Sequence, residues 1–418
     1  MEIEIEKLVF GGFGIGRIDG KIVFVRGGIP GERLQVRVTR DRGSYVEAEV
    51  EKVVRSSSQR VKPPCSVFGK CGGCQWQHVG YEAQLEAKEY ILKEALERRG
   101  GLKDIEVEPI FPSPSQYGYR HRVTLSVWFQ KKRYCVGYLE GRSRRGIEIE
   151  TCPIATEPIN GAIKRLSRSL SSIETRRYPL ERVYISSDGV DSYITLVPGS
   201  NRDLSKLYSL RNHLRKSNET KNTYILGEME EEFELDILGL KFRAIPSVFI
   251  QVNSMVNEQL VRTVMDLATP YRNKRVLDLF SGVGNFSLHL ARQSREVFGV
   301  DVNARAIRLA RRNAKLNSIE NAVFEVSDAV EFVKKAARYG MRFDLIVLDP
   351  PREGAKEILE YIPKLHAQGI IYVSCNPTTL ARDLKMLLHL GYKTIRVYPF
   401  DMFPQTYHIE SLALLSRI

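Results

Sequence analysis

One cysteine, Cys375, stands where a reactive thiol would be useful. It follows the apolar run at residues 369–373 and precedes Asn376-Pro377, a pair that ends a strand and begins a helix. If the run is a parallel strand, the thiol lies at the carboxyl edge of a sheet, where doubly wound folds bind their ligands. A cysteine in a core is more often an inert small hydrophobe. Cys375 is therefore a candidate nucleophile whose role depends on its neighbours.

Four other cysteines have a spacing that suits a metal centre. Cys65, Cys71 and Cys74 are separated by five and then two residues, and Cys152 is followed by a proline. Zinc is more often held by two close pairs, whereas three clustered ligands with a distant Cys-Pro favour iron–sulfur ligation. The spacing leaves zinc, a cluster and unligated cysteines open. Cys135 lies in an ordinary strand pattern and is left out of the ligand set.

Two acidic residues fall near the same predicted sheet edge. Asp349 follows the strand candidate at residues 343–348 and begins the motif Asp-Pro-Pro-Arg. With an aromatic fourth residue this motif would suggest methylation of an exocyclic amine, but the fourth residue is Arg352. Glu410 precedes the last strand candidate. A lone glutamate there is more often a surface residue, so its role as a base depends on what surrounds it.

An alternating α/β scaffold would bring these residues together. From residue 246 onward, strand candidates separated by helical patterns predict a parallel, doubly wound sheet that ends in a hairpin. Seven strands with that ending resemble the class I methyltransferase fold. The candidates are residues 275–280, 297–300, 322–326, 343–348, 369–373, 393–397 and 412–415.

A glycine-rich turn follows the first of these strands. Gly282 and Gly284 would let the backbone approach a nucleoside, and Asp301, at the end of the next strand, would accept from ribose hydroxyls. Asp328 follows the third strand and would bind the adenine. A dinucleotide site would prefer a third glycine where this chain has Ser287. S-adenosylmethionine is therefore favoured over NAD.

Length and composition indicate a basic protein of several domains. A chain of 418 residues is too long for one ordinary core. It has no apolar run long enough to span a membrane and no signal peptide pattern, so we expect a cytoplasmic protein without a membrane partner. Six cysteines are too few for a disulfide scaffold.

The formal net charge of +13 is concentrated locally. Residues 114–147 hold eight Lys and Arg side chains, Arg142 among them, against one acid, and aromatic residues alternate with them. Cations for phosphates and rings for bases suit an RNA-binding surface. A hairpin with a buried aromatic face and a solvated basic face explains this basic window equally well.

The N-terminal residues 1–54 alternate in short segments separated by glycine turns, which predicts a small antiparallel barrel. The early glycines have no helix after them, so a phosphate-binding loop is not expected there. Residues 12–17 through 30–32 resemble the TRAM domain, an OB-like RNA-binding barrel.

The motifs together resemble the RNA uracil-carbon-5 methyltransferases that carry an iron–sulfur cluster. The resemblance rests on residues 249–253, 278–286, 349–352, 374–383 and 403–410, with the barrel and the four cysteines. It implies three domains. Residues 1–54 would form the TRAM barrel, residues 55–245 an α+β central domain with the cluster and a basic RNA-binding surface, and residues 246–418 a Rossmann-like methyltransferase domain with a seven-stranded sheet.

The resemblance also assigns residues. It implies a 4Fe-4S cluster on Cys65, Cys71, Cys74 and Cys152. It maps the S-adenosylmethionine site to Gln251, Phe280, Asn285, Asp301, Asp328 and Asp349. The family more often has Glu at position 301, but both carboxylates accept from ribose hydroxyls.

The family's chemistry explains the remaining residue types. Carbon 5 of uracil is a poor nucleophile, and addition of a thiolate to carbon 6 converts the ring into an enolate that attacks the donor methyl group. Cys375 is assigned that addition and Glu410 the removal of the carbon-5 proton. Asp349 would also hold the polar edge of the uracil. The base must be unstacked to reach this site, which favours a loop in the RNA.

These inferences predict a monomeric enzyme that acts on tRNA at uridine 54 of the T-loop, with a 23S rRNA uridine as the second candidate. A methyltransferase of another base or of protein is the first alternative, and the pairing of Cys375 with Glu410 argues against it. A non-catalytic RNA-binding or chaperone protein is the second, and the intact motifs argue against that.

Overall fold

The computed structural model describes residues 1–103, 105–141, 143–174, 178–199, 204–216, 222–227 and 232–418, so Arg142 of the basic window lies outside the described residues. The strands are β1 (Glu2–Glu4), β2 (Lys7–Val9), β3 (Phe13–Ile18), β4 (Lys21–Arg26), β5 (Arg33–Asp41), β6 (Tyr45–Arg55), β7 (Glu106–Val107), β8 (Arg122–Gln130), β9 (Arg133–Leu139), β10 (Gly146–Glu148), β11 (Leu180–Ser187), β12 (Ser192–Pro198), β13 (Thr223–Ile225), β14 (Phe233–Ile237), β15 (Leu240–Ala244), β16 (Arg275–Leu279), β17 (Glu296–Asp301), β18 (Ala322–Val326), β19 (Leu345–Leu348), β20 (Gly369–Ser374), β21 (Tyr392–Phe400) and β22 (Glu410–Arg417). The helices are α1 (Tyr81–Ala95), α2 (Glu157–Ser171), α3 (Leu204–Lys216), α4 (Ser254–Leu267), α5 (Ser287–Ala291), α6 (Ala304–Leu316), α7 (Ala329–Arg338), α8 (Lys356–Leu359) and α9 (Pro377–His389).

The first six strands form one sheet with the order β1-β5-β6-β4-β3-β2. Strands β1 and β2 lie at opposite ends of this order although two residues separate them in the chain, so the sheet curls back on itself. Alternate side chains such as Ile3, Val23 and Leu34 point inwards and are buried. The expected barrel differs in one respect, because β4 pairs with β6 in parallel. Strands β5 and β6 form an antiparallel hairpin, which returns β6 alongside β4.

The middle of the chain forms a second sheet with the order β10-β9-β8-β11-β12-β13. Helix α2 buries Ile159, Ile163 and Leu166 in the same core as this sheet. The basic window supplies β8 to β10, and the rings of Tyr119 and Tyr134 lie in the core. These two rings are therefore not free to stack on RNA bases, and the cations of the window remain the candidate RNA-binding groups.

The C-terminal sheet has the order β18-β17-β16-β19-β20-β22-β21-β7. The predicted strands are all present, and β22 alone runs antiparallel to its neighbours within this sheet. The expected count of seven strands was wrong, because β7 pairs with β21 in parallel as an eighth. Strand β7 covers backbone groups that an edge strand would leave unpaired. Arg396 on β21 holds it through ion pairs to Glu106 and Glu108 at 2.6 and 2.8 Å.

Helix α1 shares a hydrophobic core with this C-terminal sheet. Leu92 of α1, with Trp76 before the helix and Leu96 after it, lies in one core with residues of β16, β19 and β20. The three-domain division stays a prediction, and part of the segment between residues 55 and 245 contributes to the core of the last sheet. No helix in the described ranges is both long enough and apolar enough to cross a bilayer.

Candidate active site and cysteine-lined cavity

Cys375 and Glu410 meet at the edge of the C-terminal sheet. Ser374, the last residue of β20, pairs with Ser411 on β22. Cys375 directly follows Ser374, and Glu410 directly precedes Ser411. Because the two strands are antiparallel, this register sets Cys375 and Glu410 side by side. Helix α9 begins at Pro377 with the Asn376 side chain as its cap. The thiol therefore lies at a fixed strand-to-helix turn.

The electrostatic surroundings of Cys375 keep its thiol protonated at neutral pH. Burial first, and then the negative charges of Glu410 and Asp349, raise the pKa of Cys375 to about 12, while Arg352 opposes them. Arg352 is the cation that would favour the thiolate. Sequence reasoning considered Arg352 only for what it lacks, a stacking ring, and missed this role.

Three carboxyl groups lie at this edge of the sheet, of which Asp278 and Glu410 are buried and Asp349 is half-buried. Asp349 follows β19 directly, and burial, with the charge of Asp301, raises its pKa to about 7. Burial raises the pKa of Asp278 to about 7 as well, although the Ser287 hydroxyl donates a hydrogen bond to it. Burial and the charge of Asp349 raise the pKa of Glu410 well above its usual range. A cationic ligand at this edge would relieve the repulsion.

Asp349 also lines a cavity of about 80 Å³. Its lining brings together four of the six residues expected to bind a methyl donor, namely Gln251, Phe280, Asn285 and Asp349. Asp301 stands at the rim, since its carboxylate accepts from the Gly282 backbone N–H at 2.9 Å. Asp328 does not line the cavity. Its carboxylate caps α7 by accepting from the N–H groups of residues 330 and 331.

The turn after β16 shapes this cavity. Phe280 has a φ of +68°, and its N–H and that of Ser281 both donate to the Val300 carbonyl. A Cβ at Gly299 would lie 2.5 Å from the Phe324 ring and 3.1 Å from the Ser281 hydroxyl. Glycine at 299 therefore lets the turn lie close against β17.

Two further features of this cavity were missed by the sequence reasoning. Asn257 on α4 and Asn285 exchange hydrogen bonds at 2.9 and 3.0 Å, which fixes the Asn285 amide. Residues of β14 and β15, including Leu235 and Phe242, line the opposite wall. A lone Asn on a helix and an unremarkable hairpin carry no pattern that would mark them.

The loop at residues 401–409 leads into Glu410. Side chains of helix α1 hold this loop in place. Lys88 is wholly buried and pairs with Asp401 at 2.5 Å. The Tyr81 hydroxyl donates to the same carboxylate at 2.7 Å. Lys88 also donates to the Phe403 carbonyl at 3.1 Å. We call residues 401–409 the base loop, because Glu410 follows them.

The base loop is also bonded directly to the loop that holds three of the cysteines. The backbone N–H groups of Gln75 and Trp76 both donate to the Gln405 carbonyl, at 3.1 and 3.0 Å. Gln84 on α1 exchanges two further bonds with Gln405, both at 3.0 Å. Gln405 has a φ of +70°, a left-handed conformation that these bonds maintain.

His408, near the end of the base loop, contacts Arg352. Its Nε2 lies 3.4 Å from the guanidinium, and its ring lies 4.3 Å from that of Tyr407. Burial and the nearby cations, Arg352 first among them, lower the pKa of His408 to about 3. A neutral imidazole can accept from the guanidinium, so His408 holds Arg352 beside Cys375.

A second cavity, of about 330 Å³, adjoins Arg352 and His408. All four cysteines of the expected ligand set line it, namely Cys65, Cys71, Cys74 and Cys152. All six cysteines of the chain are unpaired. Cys135 is buried in β9 and does not line the cavity.

Hydrogen-bond donors reach sulfur atoms of this cavity, although burial favours the protonated thiols. Burial raises the pKa of Cys152, while the Tyr138 hydroxyl, two backbone N–H groups and Arg120 favour its thiolate. Burial raises the pKa of Cys74 to about 12, against a hydrogen bond from Gln77. The Gly73 N–H donates to the Cys71 sulfur at 3.4 Å. Thiolates so confined repel one another, and a metal group would neutralise them.

A single zinc with Zn–S bonds of about 2.3 Å would hold its ligand atoms within about 4 Å of one another. Within the part of the chain that the structure describes, no group of three or more His, Cys, Asp or Glu side chains could hold a metal ion. The zinc and iron–sulfur interpretations of these cysteines therefore both stay predictions from the sequence.

Comparisons with known proteins agree with this geometry. Residues 80–418 match the family described as tRNA (Uracil-5-)-methyltransferase, and residues 1–50 match the TRAM domain. A relative in Aquifex aeolicus, described as an uncharacterized RNA methyltransferase, is 36% identical over 99% of this chain and 98% of its own length. The 23S rRNA (uracil(1939)-C(5))-methyltransferase RlmD of Aeromonas hydrophila is 34% identical over 100% of this chain and 96% of its own.

A solved structure resembles the whole chain as well. The tRNA (uracil-54, C5)-methyltransferase of Pyrococcus abyssi, in complex with S-adenosyl-L-homocysteine, has a TM-score of 0.73 and 27% identity. The match covers 99% of this chain and 100% of that one. The likeness therefore extends over the barrel, the middle sheet and the C-terminal sheet together.

Proposed function

We propose a mechanism on the premise that this chain belongs to the tRNA (uracil-5-)-methyltransferase family and carries an N-terminal TRAM domain. In this proposal, Cys375 and Glu410 perform the uracil chemistry. The family's reaction moves a methyl group from S-adenosylmethionine to carbon 5 of a uracil in RNA. The observation that supports the assignment is the strand register that sets Cys375 beside Glu410. A nucleophile and a base at one sheet edge are what this reaction requires.

In the proposed reaction, Cys375 first forms a covalent adduct with the base. Arg352 favours loss of the thiol proton to solvent, and the sulfur then adds to carbon 6. The ring electrons move to carbon 5 and the carbonyl oxygen, and carbon 5 takes the methyl group from the positively charged sulfonium. S-Adenosylhomocysteine leaves, and the uracil stays bound to the sulfur with both a methyl group and a proton on carbon 5.

Glu410 then removes the carbon-5 proton. Its raised pKa makes it a strong base once it is ionised. Asp349 would pair with the cationic donor, and its repulsion of Glu410 would then fall, which lets Glu410 ionise. As the proton leaves, the bond between carbon 6 and sulfur breaks, the ring double bond returns and the thiolate is released.

The donor site is proposed at the 80 Å³ cavity. Asp349 would face the sulfonium, and Gln251, Phe280 and Asn285 would line the remainder. Asp301 would accept from the ribose hydroxyls, since each carboxylate oxygen that accepts one backbone N–H keeps a second lone pair. Asp328 would reach the adenine from the end of β18 while capping α7.

The cysteine-lined cavity is proposed to hold a 4Fe-4S cluster on Cys65, Cys71, Cys74 and Cys152. The fit is supported by the four sulfurs around one cavity and by the hydrogen bonds that they receive. A cluster there would supply cross-links between the loop of the first three cysteines and the segment after β10. The chain's own bonds from Gln75 and Trp76 would carry that rigidity to the base loop.

The RNA is proposed to be 23S ribosomal RNA, with uridine 54 of the tRNA T-loop as the second candidate. Relatives named as 23S rRNA enzymes are 34% identical over almost their full lengths. The tRNA enzyme of known structure is 27% identical. This order reverses the expectation from the sequence alone.

A competition experiment tests the proposal. Equimolar tRNA transcripts and 23S rRNA fragments would be incubated with the enzyme and labelled donor, and the methylated nucleoside would be identified and mapped. We expect 5-methyluridine at one position of the ribosomal fragment. Methylation confined to the T-loop would select the second candidate, and a labelled product other than 5-methyluridine would contradict the proposed chemistry.

A further inference from the structure

A third cavity, of about 270 Å³, lies between the barrel and the cysteine loop and has no part in the reaction proposed above. We define the cysteine loop as residues 65–78. The cavity is far larger than the roughly 10–15 Å³ that one water needs. Its lining includes the rings of Phe13, Phe68 and Tyr407 and the side chain of Arg26. Aromatic faces with one cation are the groups that bind an unstacked nucleotide.

The rest of the lining is largely glycine backbone, from Gly11, Gly12, Gly27, Gly69, Gly72 and Gly141. Glycine leaves the N–H and C=O groups of a wall open to a flat ligand. At Gly12, with a φ of +87°, a Cβ would lie 2.7 Å from the Gln75 side chain and 3.2 Å from the Tyr407 ring. The barrel thus touches both the cysteine loop and the base loop at one point, and the cavity opens beside it.

This cavity is continuous with the machinery of the proposed reaction. Cys71, Cys74, Gln75 and Tyr407 line both it and the cysteine-lined cavity. Tyr407 belongs to the base loop and lies against His408, which contacts Arg352. The cavity is therefore connected to the catalytic edge through the contacts of Tyr407, His408 and Arg352.

Arg26 lines the cavity, and three further cations lie close to its lining residues in the chain. Arg26 makes a long ion pair with Glu49, 3.7 Å between the nearest atoms. Lys70 is exposed, and its carbonyl accepts from the N–H of Gly141, a lining residue. Arg144 and Arg145 are exposed in the same turn, which the bond from the Glu140 N–H to the Arg145 carbonyl closes at 2.9 Å. These cations suit the phosphates on either side of a bound base.

We propose that this cavity binds a second, unstacked nucleotide of the RNA substrate, close in sequence to the methylated uridine. Its base stacks on Phe13 or Phe68 and its phosphate lies at Arg26. The inference rests on the proposed function and extends it, because it names a contact that selects the RNA. It also gives the barrel a specific task, since the cavity exists only where the barrel meets the cysteine loop.

The test pairs protein variants with altered RNA. Single abasic nucleotides would be placed in turn at each position flanking the methylated uridine, and the Kd of each RNA would be measured with the full chain. We expect one flanking position at which loss of the base weakens binding to the unmodified enzyme by about 5- to 150-fold, the range for loss of one stacked base. In Phe13→Leu that penalty should shrink to about twofold or less.

Matched controls separate this effect from general damage. Tyr45 packs on Phe24 at 5.3 Å in the same barrel and does not line the cavity, so Tyr45→Leu should keep the full penalty. Arg26→Ala should flatten the salt dependence of binding, whereas Arg17→Ala, at an exposed arginine outside the cavity, should not. Arg26→Ala also carries the test if Phe13→Leu fails to fold.

Two results have distinct meanings. If every abasic penalty is the same in Phe13→Leu, Arg26→Ala and the unmodified enzyme, the cavity does not bind a base and the inference is overturned. If the unmodified enzyme forms no 5-methyluridine in any RNA, the proposed function itself has failed.

Discussion

The catalytic edge and the cysteine loop are neighbours in space, yet the chain positions them by different means. Asp349 and Cys375 each follow a buried strand directly, and Glu410 begins another. The backbone ladder of the sheet thus fixes all three. The cysteine loop consists of turns and isolated bridges, and Cys71 forms one of those bridges with Glu140. Its position depends on side chains and on contacts with other loops.

This difference predicts how each region responds to damage. A substitution at the catalytic edge should remove chemistry and leave the fold, because the ladder does not depend on the side chain. A substitution around the cysteine loop should change stability, RNA binding and turnover together. The bonds from Gln75 and Trp76 to Gln405 make the base loop the place where the two regions meet.

Cys375→Ala should have the largest effect. We expect methyl transfer to fall by at least about 10⁴-fold, as for loss of a nucleophile, while donor affinity stays within about twofold, because the thiol faces the uracil. Turnover and calorimetric donor binding would be measured on the same preparation. Cys135→Ala, at a buried cysteine of β9, is the matched control and should stay active. Appreciable turnover by Cys375→Ala would remove the thiol from the mechanism.

Glu410→Gln should slow turnover by about 10²- to 10⁴-fold, the usual contribution of a general base. The methylated adduct cannot lose its carbon-5 proton, so the enzyme should remain bonded to the RNA. A denaturing gel with labelled donor would show a band of enzyme, RNA and methyl group together. A folded variant that forms no such band would point to a different base.

Asp349 and Cys375 show what could be predicted from the sequence. The apolar runs of β19 and β20 mark strand ends, and the ends of adjacent strands share one edge, so Asp349 and Cys375 could be placed by pattern alone. Strand β7 was missed because two residues carry no periodicity. The bond between Gln84 and Gln405 joins uncharged amides 321 positions apart, which no local pattern reveals.

The buried pair Lys88 and Asp401 tests how firmly the base loop must be held. Lys88→Met leaves the Asp401 carboxylate buried without its cationic partner, although the Tyr81 hydroxyl still donates to it, and such a loss lowers the free energy of unfolding by about 3–5 kcal/mol. The double variant Lys88→Met/Asp401→Leu should recover most of that stability. Its turnover should stay low with donor binding intact, since the loop has lost its anchor. Full turnover by the stable double variant would show that the pair serves stability alone.

Cys74→Ser should abolish iron binding and lower the melting temperature by about 2–8 °C, as for a loss of 1–2 kcal/mol. The unmodified protein, purified without oxygen, should be brown, and the Cys74→Ser variant should be colourless. Because Gln75 follows Cys74 and bonds to Gln405, turnover should fall along with RNA affinity, while donor affinity per folded molecule changes little. Cys135→Ser is the control. If Cys74→Ser loses donor binding alone, the cysteine loop supports the donor site and not the RNA surface and base loop.

The smallest effect is expected in the basic window, where neighbouring cations differ in their partners. Lys131 and Lys132 are exposed at the tip between β8 and β9, whereas Arg133 makes two bonds to Glu148 at 2.5 and 2.7 Å. Both lysines have a positive φ, so Asn, which tolerates that conformation, removes charge without strain.

Lys131→Asn/Lys132→Asn should reduce the slope of log affinity against log salt by about 0.7–0.9 for each phosphate that the protein no longer neutralises. Arg133→Ala should leave the slope nearly unchanged, because Glu148 already neutralises that charge. An unchanged slope in the double variant would mean that these lysines touch solvent alone, and RNA binding would then be assigned to the barrel and the cavity beside it.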